Sequence, residues 1–381
     1  MVNLYAVIKA IRKGKIPFLL LCVSGLMSGN RVEAQTLCRP VSNTSSTGGA
    51  LCFGMAVTAA GNAYDNDPGL TSYAGINNVV GLACYAEATF DFGQTISSGD
   101  TAIIYLGTGS GLLDLSLLSN VSVQAKNAGS NVGSAIALNN SVITVTALPG
   151  NTIATVKFAI PGNSNQLQVK VGGLISLLVN LRLYDIRLKF NPPSISGGNT
   201  QTVCSAQTTT FIASPAAGTT LNWYSSSTSN TSLYTGTNFT TPSLTTTTTY
   251  YIGVSRTSSC ESIERTMVTV NINPLPTVTT TTPIYVCHGL SVFPLSYSSP
   301  VNNPDMYSIT WNSAATLAGF SPVAYTTLTS TPLNIPKPIA APTATYQGSF
   351  LIKNNNNCVN AYPFSLIVQD PPDPHATTTF Q

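Results

Sequence analysis

Two histidines, His288 and His375, are all the imidazole in the 381-residue chain. A Ser-His-Asp or Cys-His nucleophile would have to use one of them. His288 adjoins Cys287 and His375 sits in a Pro-rich tail, so neither is placed as a general base. A glycosidase needs two carboxylates across one bond. From Asn191 onward the acids are Glu261, Glu264, Asp305, Asp370 and Asp373, spent beside Cys260 or in the terminal joint apart from Asp305. The acids between residues 35 and 190 are Asp65, Asp67, Glu87, Asp91, Asp100, Asp114 and Asp185, and turn or strand-edge roles account for most of them. The run Gly107-Thr108-Gly109-Ser110-Gly111 lacks the spacing and the lysine of a phosphate loop. The sequence therefore predicts a protein that is not an enzyme.

Whatever these residues do, strands must position them. Charged residues make up only 8% of the chain, against about 25% in an average soluble domain; Thr, Ser, Asn and Gly fill the polar positions. Thr and the β-branched aliphatics favour strands, Gly and Pro punctuate them, and no stretch sustains a helical apolar period. The expected class is all-β, as tandem sandwiches. Alternating segments at Ala102–Leu106, Val121–Val123, Val142–Val145 and Val156–Phe158 are strand candidates separated by turns.

The first 34 residues have the layout of a secretory signal peptide: Lys9, Arg12, Lys13 and Lys15, an apolar run Ile16–Met27, then Val32-Glu33-Ala34. That run is shorter than the about 20 residues a membrane span requires. Leu21 before Cys22 is larger than lipidation normally wants. Cleavage after Ala34 would leave 11 of the 16 basic residues against 12 of the 13 acids. So near-neutral a chain has no basic stripe for phosphates, and nucleic acid is not an expected partner. An exported protein at the cell surface or outside the cell, with no transmembrane helix after cleavage, is the expectation. Its seven remaining cysteines, none in a Cys-x-x-Cys pair, then default to disulfides with one thiol left over.

Asn191-Pro192-Pro193 and Asn273-Pro274-Leu275-Pro276 read as short extended linkers. They divide the chain into an N-terminal module (35–190), a middle module (192–273), a third module (274–370) and a linker-like tail (371–381). The middle and third modules form a weak repeat. Cys204, Trp223, Cys260 and the strand Met267–Ile272 recur as Cys287, Trp311, Cys358 and Phe364–Val368. Through Thr202-Val203-Cys204-Ser205, Leu221-Asn222-Trp223-Tyr224, Tyr250–Val254 and Ser259-Cys260-Glu261 the middle module resembles the Ig-like modules of large bacterial surface and gliding-associated proteins. The third resembles the related PKD-like modules through Val286-Cys287-His288-Gly289, Ile309-Thr310-Trp311 and Asn357-Cys358. The resemblances imply immunoglobulin-like sandwiches, each with a core tryptophan and its own disulfide, Cys204–Cys260 and Cys287–Cys358. Among Cys38, Cys52 and Cys84 one further disulfide is expected, Cys38–Cys84 being slightly favoured.

In the N-terminal module, Asn62-Ala63-Tyr64-Asp65-Asn66-Asp67-Pro68-Gly69-Leu70-Thr71-Ser72-Tyr73 resembles the opening loop of discoidin-like, galactose-binding-like jelly rolls. That family commonly holds a structural calcium here, completed by an acid from the closing strand. The resemblance carries this onto Asp65, Asp67, Thr71 and Asp185, an oxygen set calcium accepts. Asn66 departs from the family's glycine, and an ordinary Asp/Asn/Pro/Gly turn needs no metal; both readings stand. Sugar binding would need exposed aromatics beside amides or carboxylates, for which Tyr64, Tyr73 and Tyr85 are the early candidates. Two apolar stretches, Gly111–Leu118 and Gly172–Val179, read as core rather than as lipid-inserting spikes.

Two functions follow. The N-terminal sandwich binds a glycan or another surface protein and is displayed on Ig-like spacers; alternatively the whole chain is a structural stalk of a larger adhesin.

Overall fold

A computed structural model describes residues 37–371, except 51, 53, 79–81, 109–119, 139–143, 148–152, 176–178 and 257–259. The signal-peptide reading, the tail from 372 and the apolar stretch Gly111–Leu118 lie outside, as does the middle of Gly172–Val179. The chain is built of β-sandwich sheets, as the composition demands.

Among the described residues the N-terminal module has eleven strands: β1 (Ser42–Ala50), β2 (Ala56–Thr58), β3 (Ala74–Asn78), β4 (Leu82–Ile96), β5 (Thr101–Thr108), β6 (Val121–Asn127), β7 (Ser130–Ala137), β8 (Thr144–Ala147), β9 (Ile153–Ala159), β10 (Ser164–Ile175) and β11 (Val179–Lys189). They form two sheets, in the orders β1-β4-β10-β6-β7 and β2-β3-β11-β5-β9-β8. Strand period 2 decides which side chains are inside. Along β4, Cys84, Ala86, Ala88, Phe90 and Phe92 are buried, while Tyr85, Glu87, Thr89 and Asp91 alternate with them on the outward face. Ile104 and Leu106 of β5, Val156 and Phe158 of β9, and Leu167 and Val169 of β10 complete the core. Each such side chain gains roughly 1.5–3 kcal/mol on burial.

The middle module has a three-stranded sheet of Ser194–Ile195, Thr210–Ser214 and Asn238–Thr240. Its five-stranded sheet runs in the order Thr200–Cys204, Thr266–Asn273, Thr248–Arg256, Thr219–Tyr224, Tyr234–Thr235. Trp223 is fully buried. In the third module a five-stranded sheet in the order Ile284–Cys287, Val359–Gln369, Ala344–Asn354, Pro304–Trp311, Val323–Thr327 packs with two two-stranded antiparallel sheets around Phe293, Phe320, Phe350 and Phe364. Trp311 lies against Phe320, with ring centroids 4.6 Å apart, and edge-on to Phe364 at 5.3 Å.

By internal contacts the chain forms two compact units. One holds the residues up to Pro192 with Ala216–Thr235 and Gly253–Arg265; the other holds Pro193–Pro215, Gly236–Ile252 and the residues from Thr266 on. Middle-module residues are thus shared between them. In the second unit the joint after Asn273 is not a free linker. The side-chain amides of Asn354, Asn302 and Asn360 donate to the carbonyls of Pro274 (3.2 Å), Leu275 (2.7 Å) and Pro276 (3.1 Å).

The disulfides correct the expected pairing. Neither Cys204–Cys260 nor Cys287–Cys358 forms, and Cys38–Cys84 does not either. The bonds are Cys38–Cys260, Cys52–Cys84 and Cys204–Cys358, with Cys287 free. The reason is strand geometry. Cys204 pairs in parallel with Asn273, at the finishing end of Thr266–Asn273, whereas Cys260 sits in the turn that leads into its starting end. Eight residues at about 3.3 Å each keep those ends apart, and a disulfide tolerates a Cα separation of under 7 Å. Cys287 likewise pairs with Gln369, while Cys358 immediately precedes Val359 at the other end of the same eleven-residue strand. In both modules the early and late cysteines lie at opposite ends of the last strand, so each module's early cysteine can be crosslinked only beyond its own module. Peptide mapping without reductant should recover Cys38 with Cys260 and Cys204 with Cys358, and among the described cysteines alkylate Cys287 alone. A Cys204–Cys260 peptide would refute this arrangement.

Candidate functional site

The loop between β2 and β3 is organised by its two aspartates. Asp67 Oδ1 accepts from the Gly69 N–H (2.9 Å), and Oδ2 accepts from the Thr71 N–H (2.5 Å), the Thr71 hydroxyl (2.7 Å) and the Ser72 N–H (2.9 Å). Asp65 accepts from the Asp67 N–H (3.1 Å) and the Ser72 hydroxyl (2.7 Å). This is an Asx-type turn. The Ser72 N–H first, then the Thr71 hydroxyl and the Thr71 and Gly69 N–H groups, hold the Asp67 carboxyl well below the usual carboxylate range. What Asp67 contributes to loop order is therefore present above its ordinary value and is lost only as pH falls below it.

Asp185, on β11, does not join them directly. It is buried, and its carboxylate accepts from Arg39 Nε (3.0 Å) and Nη2 (3.1 Å) and from Arg187 Nε (2.5 Å). The same Arg39 guanidinium donates from Nη1 to Asn66 Oδ1 (2.7 Å). Arginine thus stands between the closing-strand acid and the loop, where the jelly-roll resemblance implies an ion. Among the described residues no group of three or more His, Cys, Asp or Glu is arranged to hold a metal. The four residues do not fit one shared calcium: Asp185 is neutralised by two guanidinium groups, and the oxygens of Asp65 and Asp67 are occupied by N–H and O–H donors. Sequence reasoning missed Arg39, which as an isolated arginine beside Cys38 gave no signal. The melting temperature is expected to be indifferent to calcium and chelator, whereas Arg39→Ala lowers it. A chelator-dependent fall in the wild-type chain would restore the ion.

The three tyrosines are not brought to one place. Tyr64 accepts from Asn43 Nδ2 (2.8 Å) and meets Phe90 edge-on. Tyr85 is on the outward face of β4, with Lys170 Nζ 3.9 Å from its ring centroid. Tyr73 precedes β3 in the other sheet, edge-on to Tyr184 (5.7 Å) and beneath the Arg182 guanidinium (4.4 Å). On the outward face of that sheet, Arg187 lies over Tyr105 at 4.8 Å.

The best-built polar cluster was not foreseen. Residues Gly253–Arg265 belong to the first unit and are locked into the N-terminal module. Cys38 N donates to Glu261 O (3.1 Å), Ile263 N to Leu188 O (3.0 Å) and Phe190 N to Ser262 Oγ (3.2 Å). Arg256 Nη1 pairs with Asp100 Oδ2 (2.7 Å), both side chains buried, and its guanidinium lies over Phe190. Beside it Arg265 Nε pairs with Glu261 Oε1 (2.8 Å), and Tyr224 donates to Glu261 Oε2. These contacts are structural: each buried charge has its counter-charge.

This hairpin tip closes a segment with a buried central tryptophan, an early strand running parallel to the last one, and a late cysteine in the final turn. Residues 191–274 match the family model described as Ig-like domain, CHU_C associated. The match falls on the middle, Ig-like module. No curated protein matches the chain. Solved structures that are similar in part include a β-1,2-glucanase from Parabacteroides distasonis (TM-score 0.29, 12% identity, 64% of this chain and 39% of that one). Others are the adhesin domain of Epf from Streptococcus pyogenes (0.27, 9%, 64% and 99%) and the insect immune protein hemolin (0.23, 9%, 89% and 100%). The chain thus spans well under half of the glucanase.

Proposed function

We propose that this is a non-catalytic extracellular protein of binding and spacing type, its N-terminal sandwich presenting a ligand surface, to a glycan or another surface protein, next to the Ig-like module. The observation that carries the reading is the Ig-like, CHU_C-associated match over residues 191–274. Three disulfides support it, since such bonds persist in oxidising compartments outside the cytosol. The finer reading extends to a PKD-like third module and a secretory leader over residues 1–34. Among the described residues no helix is long and apolar enough to cross a membrane. A purely structural stalk is the second reading, favoured by the dispersal of Tyr64, Tyr73 and Tyr85.

The test is a glycan array and a cell-surface binding assay with the whole chain, because residues 253–265 belong to the N-terminal unit and a fragment ending at residue 190 would lack them. Binding that Tyr73→Ala abolishes supports the ligand reading. No binding to any glycan or cell surface leaves the stalk.

A further inference from the structure

The crosslinks are staggered. Cys38, before the first strand of the N-terminal module, is bonded to Cys260 in the last turn of the Ig-like module; Cys204, early in that module, is bonded to Cys358 in the last turn of the third. The two loops they close span 222 and 154 residues, and they overlap between residues 204 and 260. Overlap changes the covalent route through the protein. Along the backbone, Cys38 and Cys358 are 320 residues apart. Through the disulfides the route runs from Cys38 to Cys260, back along the chain to Cys204, and across to Cys358. Only the 56 residues between 204 and 260 are in series.

We propose that this stagger makes the protein an extension-limited tension element, in which the Ig-like module alone carries load and its two neighbours are shunted. The inference rests on the spacer reading only for the claim that the chain is pulled in use; the covalent route is independent of it. A fully extended chain reaches about 3.5 Å per residue. Stretched without its disulfides, the stretch from Cys38 to Cys358 would reach about 110 nm; with them it reaches about 20 nm. A force that unfolds the N-terminal module, or the third module ahead of Cys358, therefore gains no length by doing so, and forced unfolding is driven by the length gained along the pull. Pairing within each module would have had the opposite effect. Cys204–Cys260 and Cys287–Cys358 would have removed the Ig-like core and most of the third module from the route and left residues 38 to 204, apart from the 32 bridged by Cys52–Cys84, free to extend. The observed bonds place the load on the residues that such pairing would protect. Cys52–Cys84 lies inside the shunted part and does not alter the route.

Single-molecule stretching of the whole chain, held at its two ends through thiol-free handles, reads this directly. Beyond the constant terminal segments, unreduced molecules should release about 20 nm and then stiffen; reductant added to the same molecules should release about 90 nm more. Cys38→Ser puts residues 38–204 in series, less the 32 that Cys52–Cys84 bridges, and should give about 47 nm without reductant. A release of about 55 nm from the unreduced wild-type chain, the value for pairing within modules with Cys52–Cys84 intact, would overturn the proposal, as would about 110 nm. Because the reductant comparison uses the native chain, it decides even where Cys38→Ser does not fold. Loss of glycan and cell-surface binding would end the ligand reading and leave these lengths unchanged, so the two failures are distinguishable.

Discussion

Asp100→Ala is expected to destabilise the N-terminal unit by about 3–5 kcal/mol, the cost of leaving one member of a buried ion pair without the other. Asp100 is fully buried immediately before β5. It accepts from the Ser97 N–H (2.9 Å) and the Asn191 N–H (3.0 Å) and holds Arg256 at 2.7 Å. Arg256 has little else: Nη1 also donates to Thr95 O (3.0 Å), while Nε and Nη2 are buried without a hydrogen-bond partner. Removing the carboxylate strands a guanidinium against Phe190 and frees the joint at Asn191. Urea unfolding followed by tyrosine fluorescence should show the midpoint falling accordingly. A change equivalent to less than about 1 kcal/mol, the range of an exposed pair, would mean that the pair contributes no more than a surface one.

Glu261→Ala should cost a comparable about 3–5 kcal/mol for the same physical reason. Arg265 is almost entirely buried, its guanidinium 3.4 Å from the Tyr224 ring centroid and its Nη1 donating to the carbonyls of Ser226, Ser227 and Ser229. Without Glu261 that charge has only neutral partners. The site is also tight: a Cβ on Gly253 would come within 1.9 Å of Glu261 Oε1, so Gly253→Ala should displace the carboxylate and reproduce much of the loss. Burial first, and the hydrogen bond to Glu261 second, push the Tyr224 phenol above its ordinary value. A raised folded-state value means that this contribution is complete below about pH 10 and declines as pH rises further. Glu261→Ala should therefore flatten the alkaline decline; an unchanged alkaline profile would show that Glu261 does not govern the phenol.

The sequence made the strand class and much of the core readable because period-2 alternation is local. Ala102–Leu106 lies in β5, Val156–Phe158 in β9 and Met267–Ile272 in Thr266–Asn273, and Trp223 is buried as its setting suggested. β1, Ser42–Ala50, carries no apolar alternation and is a strand because β4 pairs with it from Ser42 to Ala50. The cysteine pairing was illegible for a related reason. Spacing within one module cannot reveal that the early cysteine sits at the far end of the last strand, since that depends on a parallel pairing between distant residues, Cys204 with Asn273 and Cys287 with Gln369. Asp65, Asp67 and Thr71 do share a loop, but the counter-charge for Asp185 came from Arg39, 146 residues away. Electrostatic partners at such separations leave no trace in local pattern.

The offset of the crosslinks by one module also sets what a gene can exchange. A cut after Pro192 looks like a clean domain boundary, yet it leaves Cys38 without Cys260 and strips Asp100 of Arg256. A cut after Asn273 leaves Cys204 without Cys358. Neither Pro-marked joint separates self-contained pieces, although beads on a string would have been freely shuffled at both. The heritable unit is the overlapping set, and recombination that respects both bonds must carry all three modules together.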